Sequence, residues 1–71
     1  MPYVDIKVIE GVFDATQKEE MITRVTETMV DIEGEALRPF TLVTVAEVRS
    51  GSWGVGGKAL TTQDVKNLQA S

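Results

Sequence analysis

Seventy-one residues bound the chain to one domain at most, and a domain this short buries only about 60% of its unfolded surface. It has no cysteine and no histidine, which excludes disulfide frameworks, zinc fingers, Ser-His-Asp triads and Cys-His dyads. Eleven acidic against seven basic residues give a net charge of −4 with no basic run, so a phosphate backbone is repelled and no nucleic-acid partner is expected.

No apolar stretch approaches the roughly 20 residues that span a bilayer, so no membrane partner is expected. Met1-Pro2-Tyr3-Val4-Asp5 shows no basic n-region followed by an apolar h-region, and a cytoplasmic location is the expectation. With disulfides and metals excluded, oligomerisation is the remaining supplement to a small core.

Residues 3–9 alternate, with Val4, Ile6 and Val8 on one face and Tyr3, Asp5, Lys7 and Ile9 on the other. This is a period-2 strand, broken by Glu10-Gly11. Residues 14–33 change period. Asp14 with Gln17, or Thr16 with Glu19, fits an N-cap followed by its reciprocal partner. Met21, Ile22, Val25, Met29 and Ile32 form the apolar stripe of an amphipathic helix, with Lys18, Glu20, Arg24 and Glu27 toward solvent. Gly34 stops it as the residue just past the last turn.

Arg38-Pro39 is expected to be non-helical, because proline pushes its predecessor to extended backbone. Phe40–Val48 then reads as a second strand. Phe40, Leu42, Thr44, Ala46 and Val48 share one face, and Thr41, Val43, Val45 and Glu47 share the other. Both faces are largely apolar or small, as in a strand buried on both sides. Glycine-rich Ser50–Gly57 carries Trp53 and Val55 in alternation, which marks a short hairpin rather than a flexible linker. Thr61-Thr62-Gln63-Asp64 opens a helical turn through Val65 and Leu68.

These elements predict an α+β fold over residues 1–71: one β-α-β unit with parallel strands, plus a C-terminal hairpin. A two-stranded parallel sheet leaves its edges unpaired and one face bare, so further copies must complete it.

Conventional chemistry has few candidates. Glu10, Glu19, Glu20, Glu33 and Glu35 read as solvated surface, and nothing is spaced to pair with Asp5 as an acid/base dyad. The glycine segment lacks the Lys-Ser/Thr ending of a P-loop, so no cofactor and no metal are expected. The remaining candidate is Pro2. A small second residue permits removal of Met1, and the exposed proline is then a rigid secondary amine. Desolvation beside an apolar wall disfavours its protonated form and tunes it toward neutral pH, where a general base works best. With Met1 retained, the Pro2 nitrogen is a tertiary amide without a basic lone pair.

Taken together, Met1-Pro2, the strand ending Ile9-Glu10-Gly11, the helix opening at Asp14 with Gln17-Lys18, Glu47 near the end of the second strand, and Gly51-Ser52-Trp53-Gly54-Val55-Gly56-Gly57 resemble the 4-oxalocrotonate tautomerase family of the tautomerase superfamily. The resemblance spans about the first 60 residues in order. It implies a β-α-β protomer that assembles as a homohexamer. It also implies an isomerase in which Pro2 moves a proton between an enol and its keto form. Trp53 falls at the family's aromatic position, an apolar wall of the site.

Two departures bear on the substrate. The family's enzymes for dicarboxylates place an arginine after the first Glu-Gly and another eleven positions before the hairpin aromatic; here these are Val12 and Leu42. Valine and leucine do not replace a bidentate guanidinium. The chain also carries one extra residue near Ala15-Thr16. Arg38, Arg49 and Lys7 are the cations left to compensate, Arg49 first because it lies near Trp53. The expectation is keto–enol tautomerisation of a small carbonyl or enol acid with a single carboxylate or none. The alternatives are a hydratase, dehalogenase or decarboxylase on the same fold, for which Glu47 is the only candidate to activate water, and a non-catalytic subunit of a mixed hexamer.

Overall fold

The computed structural model describes Met1–Ser71. In chain order it has β1 (Tyr3–Ile9), α1 (Ala15–Glu33), a 3-10 helix (Glu35–Phe40), β2 (Leu42–Val48), β3 (Trp53–Val55), β4 (Lys58–Leu60) and α2 (Thr62–Gln69). β1 and β2 pair in parallel from Tyr3 opposite Leu42 to Ile9 opposite Val48. β3 and β4 form a separate antiparallel hairpin. The fold is therefore α+β, a β-α-β unit followed by a hairpin.

α1 begins at Asp14. Its carboxylate accepts the Gln17 N–H at 2.8 Å, and the Gln17 side chain accepts the Asp14 N–H at 2.9 Å. That capping box decides between the two sequence candidates. The helix ends at Gly34, whose N–H donates to the Val30 carbonyl at 2.8 Å and whose φ of +101° suits only glycine. Gly34 is the cap itself, not the residue beyond it. α1 lies across the face of Val4, Ile6, Val43 and Val45. Val8, Ile9 and Val30 are the only buried residues of the protomer, each contributing about 1.5–3 kcal/mol.

The stripe is narrower than expected. Met21, Val25 and Met29 are half-buried and Val30 is buried, but Ile22 is exposed and Ile32 is 77% exposed. The turn after α1 also departs from expectation. Arg38 and Pro39 lie inside the 3-10 helix, where bonds from Leu37 N–H to Gly34 and from Thr41 N–H to Arg38 close the turns around the donor that proline lacks. Phe40 ends this helix and is half exposed, so β2 starts two residues later than predicted.

β2 is covered on one face only. Val43 and Val45 are half-buried, whereas Leu42, Thr44 and Ala46 are exposed beside Tyr3, Asp5 and Lys7. The two-sided burial read from its composition is absent from the protomer. The radius of gyration is 14.8 Å, against about 11 Å for a compact chain of this length. The hairpin turns at Gly56-Gly57, both with positive φ, as a two-residue turn between twisted strands requires. α2 is capped by Thr61 and Asp64 in a second capping box.

Candidate active site

Pro2 lies just before β1, half-buried, and its carbonyl accepts the Leu42 N–H at 3.1 Å. The ladder thus extends one residue beyond the strand and sets Pro2 beside Thr41. Strand alternation puts both on the α1 face with Val4 and Val43. Met1 extends outward and is 84% exposed. Leu42 is 56% exposed, on the bare face of the sheet.

Val12, Arg49 and Trp53 lie at the opposite end. Val12 follows Gly11, whose N–H donates to Glu47 Oε2 at 3.1 Å near the end of β2. Arg49 and Trp53 flank one tight turn, closed by a 2.9 Å bond from Ser52 N–H to the Arg49 carbonyl. The seven residues of β1, at about 3.3 Å each, separate this cluster from Pro2 by roughly 20 Å. The structure therefore joins the Pro2 backbone to Leu42 and places Val12, Arg49 and Trp53 beyond the other end of the sheet, so the two groups lie apart within one protomer. No side chain near Pro2 in sequence signals this; it follows from the parallel direction of the strands.

The cations divide clearly. Arg38 sits near Pro2, but its guanidinium is engaged by two carboxylates. Nη1 and Nη2 donate to Glu27 at 2.6 and 3.0 Å, and Nε and Nη2 donate to Glu35 at 2.6 and 3.2 Å. The contacts hold Glu27 and Glu35 below the usual carboxylate range and push Arg38 up. Lys7 pairs with Asp5, and Arg24 with Glu20. Lys18, placed at the solvent face from its spacing, instead pairs with Glu47 at 3.1 Å and is 28% exposed. Glu27 also faces a partner rather than water alone. Arg49 forms no ion pair.

Glu47 is fully engaged: the Lys18 ammonium and then the Gly11 N–H hold its carboxyl low. It has no free oxygen facing Pro2, which lies at the far end of the sheet. Asp5 is exposed and accepts the Thr44 hydroxyl at 3.2 Å, and the Tyr3 hydroxyl lies 3.3 Å from the same Thr44 oxygen. Glu10 and Glu33 depart from the solvated-surface expectation. Glu10 accepts the Ser50 N–H at 2.9 Å. Glu33 Oε2 accepts the Thr41 hydroxyl at 2.6 Å, while its Oε1 is buried without a partner. An open concavity lined by Phe13, Gln17, Glu20, Met21 and Arg24 contains none of the predicted site residues. No cluster of three or more acidic side chains is arranged to hold a metal ion.

Residues 2–63 match the family model described as tautomerase enzyme. A probable tautomerase K2 of Dickeya dadantii strain 3937 is 36% identical over 61 residues, covering 86% of this chain and 90% of the relative. Among solved structures, YwhB, a homologue of 4-oxalocrotonate tautomerase, superimposes with a TM-score of 0.72 at 31% identity, covering 82% of this chain and 92% of its own. DmpI from Helicobacter pylori gives 0.72 at 26% identity, over 99% and 98% of the two chains.

Proposed function

The chain belongs to the tautomerase family, and from that premise we propose that it is an isomerase converting a small enol acid to its 2-oxo form with Pro2 as the base. The observation that carries this reading is the placement of Pro2. Pro2 is half-buried on the apolar face of the sheet, its carbonyl is fixed by Leu42, and Met1 projects into solvent. After removal of Met1, the secondary amine emerges at the edge of an apolar layer, where desolvation favours the neutral form. It takes the enol proton and returns it to carbon, and positioned acid–base transfer of this kind contributes about 10²–10⁴-fold.

The site is completed between copies. Trp53 and Arg49 of one protomer line the pocket that Pro2 and Leu42 of another open onto; the roughly 20 Å between the two clusters supports this arrangement. The bare sheet face, the unpaired strand edges and the three-residue core support an oligomer, which we take to be a homohexamer. Trp53 supplies the apolar wall. Val12 and Leu42 make the pocket apolar where a second carboxylate would sit, and Arg38 is neutralised by Glu27 and Glu35. Arg49 is the unpaired cation of the set and binds a single carboxylate. The substrate class is therefore a monocarboxylate enol with an apolar remainder.

The test begins with the intact mass of untagged protein. Loss of one methionine, followed by ketonisation of a monocarboxylate enol that Pro2→Ala abolishes, is the expected result. Retained Met1, or activity indifferent to Pro2→Ala, overturns the reading. Met1-free protein that is inactive alone but active when mixed with a paralogue would favour the partner-subunit alternative, to which the apolar Val12 and Leu42 also point.

A further inference from the structure

One side-chain polar atom is buried without a partner, Oε1 of Glu33. It lies at the Pro2 end. Glu33 closes the last turn of α1, and its other oxygen accepts the hydroxyl of Thr41 at 2.6 Å. That hydroxyl also lies 2.9 Å from the Leu37 carbonyl, which pins the carboxylate from one side. Thr41 is the cross-strand neighbour of Pro2 and shares its face of the sheet. The Glu33 carboxylate, held by Thr41, therefore stands at the Pro2 end of the sheet and on the face that Pro2 shares.

A buried polar group without a partner is costly. Glu33 has no cation within ion-pair distance, because Arg38 is committed to Glu27 and Glu35. While Met1 remains, the Pro2 nitrogen is a tertiary amide and has no proton to offer. Once Met1 leaves, the same nitrogen becomes a donor and, when protonated, a cation. An unmatched buried acceptor and a donor created by processing then stand at the same end of the sheet.

We propose that Glu33 is the positioning residue for Pro2: its Oε1 accepts the N–H of the processed proline, orients the ring and stabilises the prolinium formed when Pro2 takes the enol proton. The inference rests on the reading of Pro2 given above. The proton moves from the substrate hydroxyl to the Pro2 nitrogen and then to the substrate carbon, and Glu33 neither gains nor loses one. Its role is that of a fixed negative group facing charge that develops on the base.

The other charged groups at this end are accounted for. Tyr3 and Asp5 of β1 lie on the opposite face, and Asp5 is paired with Lys7. The 3-10 helix contributes Glu35 and Arg38, and α1 contributes Glu27, all within one closed ion-pair group. Asp31 is exposed on α1. β2 presents no titratable side chain between Leu42 and Ala46.

The test is an NMR titration of ¹⁵N-proline in Met1-free protein, with Glu33→Gln and Glu35→Gln beside it. Glu33→Gln is expected to move the Pro2 midpoint to lower pH by about one pH unit or more, and Glu35→Gln by only a few tenths. In activity, Glu33→Gln should lower kcat about tenfold at high pH, leave KM unchanged and carry the acidic limb of the pH profile down with the midpoint. Identical titration of wild type and Glu33→Gln, or equal shifts in both variants, overturns the proposal. If Glu33→Gln does not fold, a crystal structure of the processed wild type decides. An Oε1 to Pro2 nitrogen distance near 2.9 Å supports the pairing, and one beyond about 4 Å removes it. The titration needs no substrate, so its failure is distinct from failure of the tautomerase reading, which shows in the Pro2→Ala assay.

Discussion

The two ends of the parallel sheet are built differently. At the C-terminal end, carboxylates are spent on backbone donors. Glu10 takes the Ser50 N–H, Glu47 takes the Gly11 N–H and the Lys18 ammonium, and Thr62 donates from its N–H to Ser50 Oγ and from its hydroxyl to the Glu10 carbonyl. Strand ends, helix start and C-terminal helix are thereby tied together. At the N-terminal end, Glu27 and Glu35 bind a side chain, Arg38, and Glu33 keeps an oxygen free. One end is closed by bonds to the main chain, and the other holds one unsatisfied oxygen, on Glu33. Under the function proposed above, the open end is where the base works and the closed end holds Trp53 and Arg49.

The largest expected effect falls at the open end. Pro2→Ala should lower kcat by about 100-fold or more with little change in Tm, measured by an enol-to-keto assay and thermal denaturation. Equal activity of the two proteins would remove the functional meaning of that end. Next, Leu42→Arg should raise kcat/KM for a dicarboxylate enol about tenfold relative to a monocarboxylate one, by restoring a bidentate partner. No gain would mean that Leu42 does not line the pocket.

Gly11→Ala tests the closed end. Gly11 has φ +78°, and an added Cβ would meet Thr62 Cγ2 at 3.2 Å. A loss of about 1–2 kcal/mol, read as a Tm several degrees lower, is expected. An unchanged Tm would show that neither the positive φ of Gly11 nor the close approach of Thr62 penalises a side chain there.

The smallest effect concerns acid. Glu47 titrates below its ordinary value of 4.5 in the folded protein. A depressed carboxylate contributes stability that is fully present above the unfolded pKa and is lost as pH falls through the folded one. Glu47→Gln should therefore be less stable than wild type at pH 7, and the gap should close below about pH 4. A gap that persists at pH 3 would assign the effect to packing rather than to charge.

Local patterns were legible wherever one residue decides one conformation. The alternation of Val4, Ile6 and Val8, the hairpin in the glycine-rich segment and the apolar identity of Val12 and Leu42 are all stated by the sequence, whereas the cap is narrowed only to Asp14 or Thr16. Arg38-Pro39 misled because the bias before proline is a steric preference, outweighed here by the bonds that close the 3-10 turns and by the two carboxylates that hold Arg38. Lys18 and Glu33 misled because helical spacing gives the face of a side chain but not the partner waiting there. Glu47 lies 29 positions after Lys18, and Thr41 reaches Glu33 only after the chain has turned back.

From its residues alone, this chain determined its elements, their order, the parallel strand direction and the kinship they imply. Those rest on short-range sterics and on periodicity, which act within a few neighbours. Only the tertiary structure decided that Pro2 and Arg49 stand beyond opposite ends of the parallel sheet, that Arg38 is already neutralised and that Glu33 keeps an unpaired oxygen. Each of these depends on groups far apart in sequence meeting in space, and a linear pattern of residue types does not encode such distances.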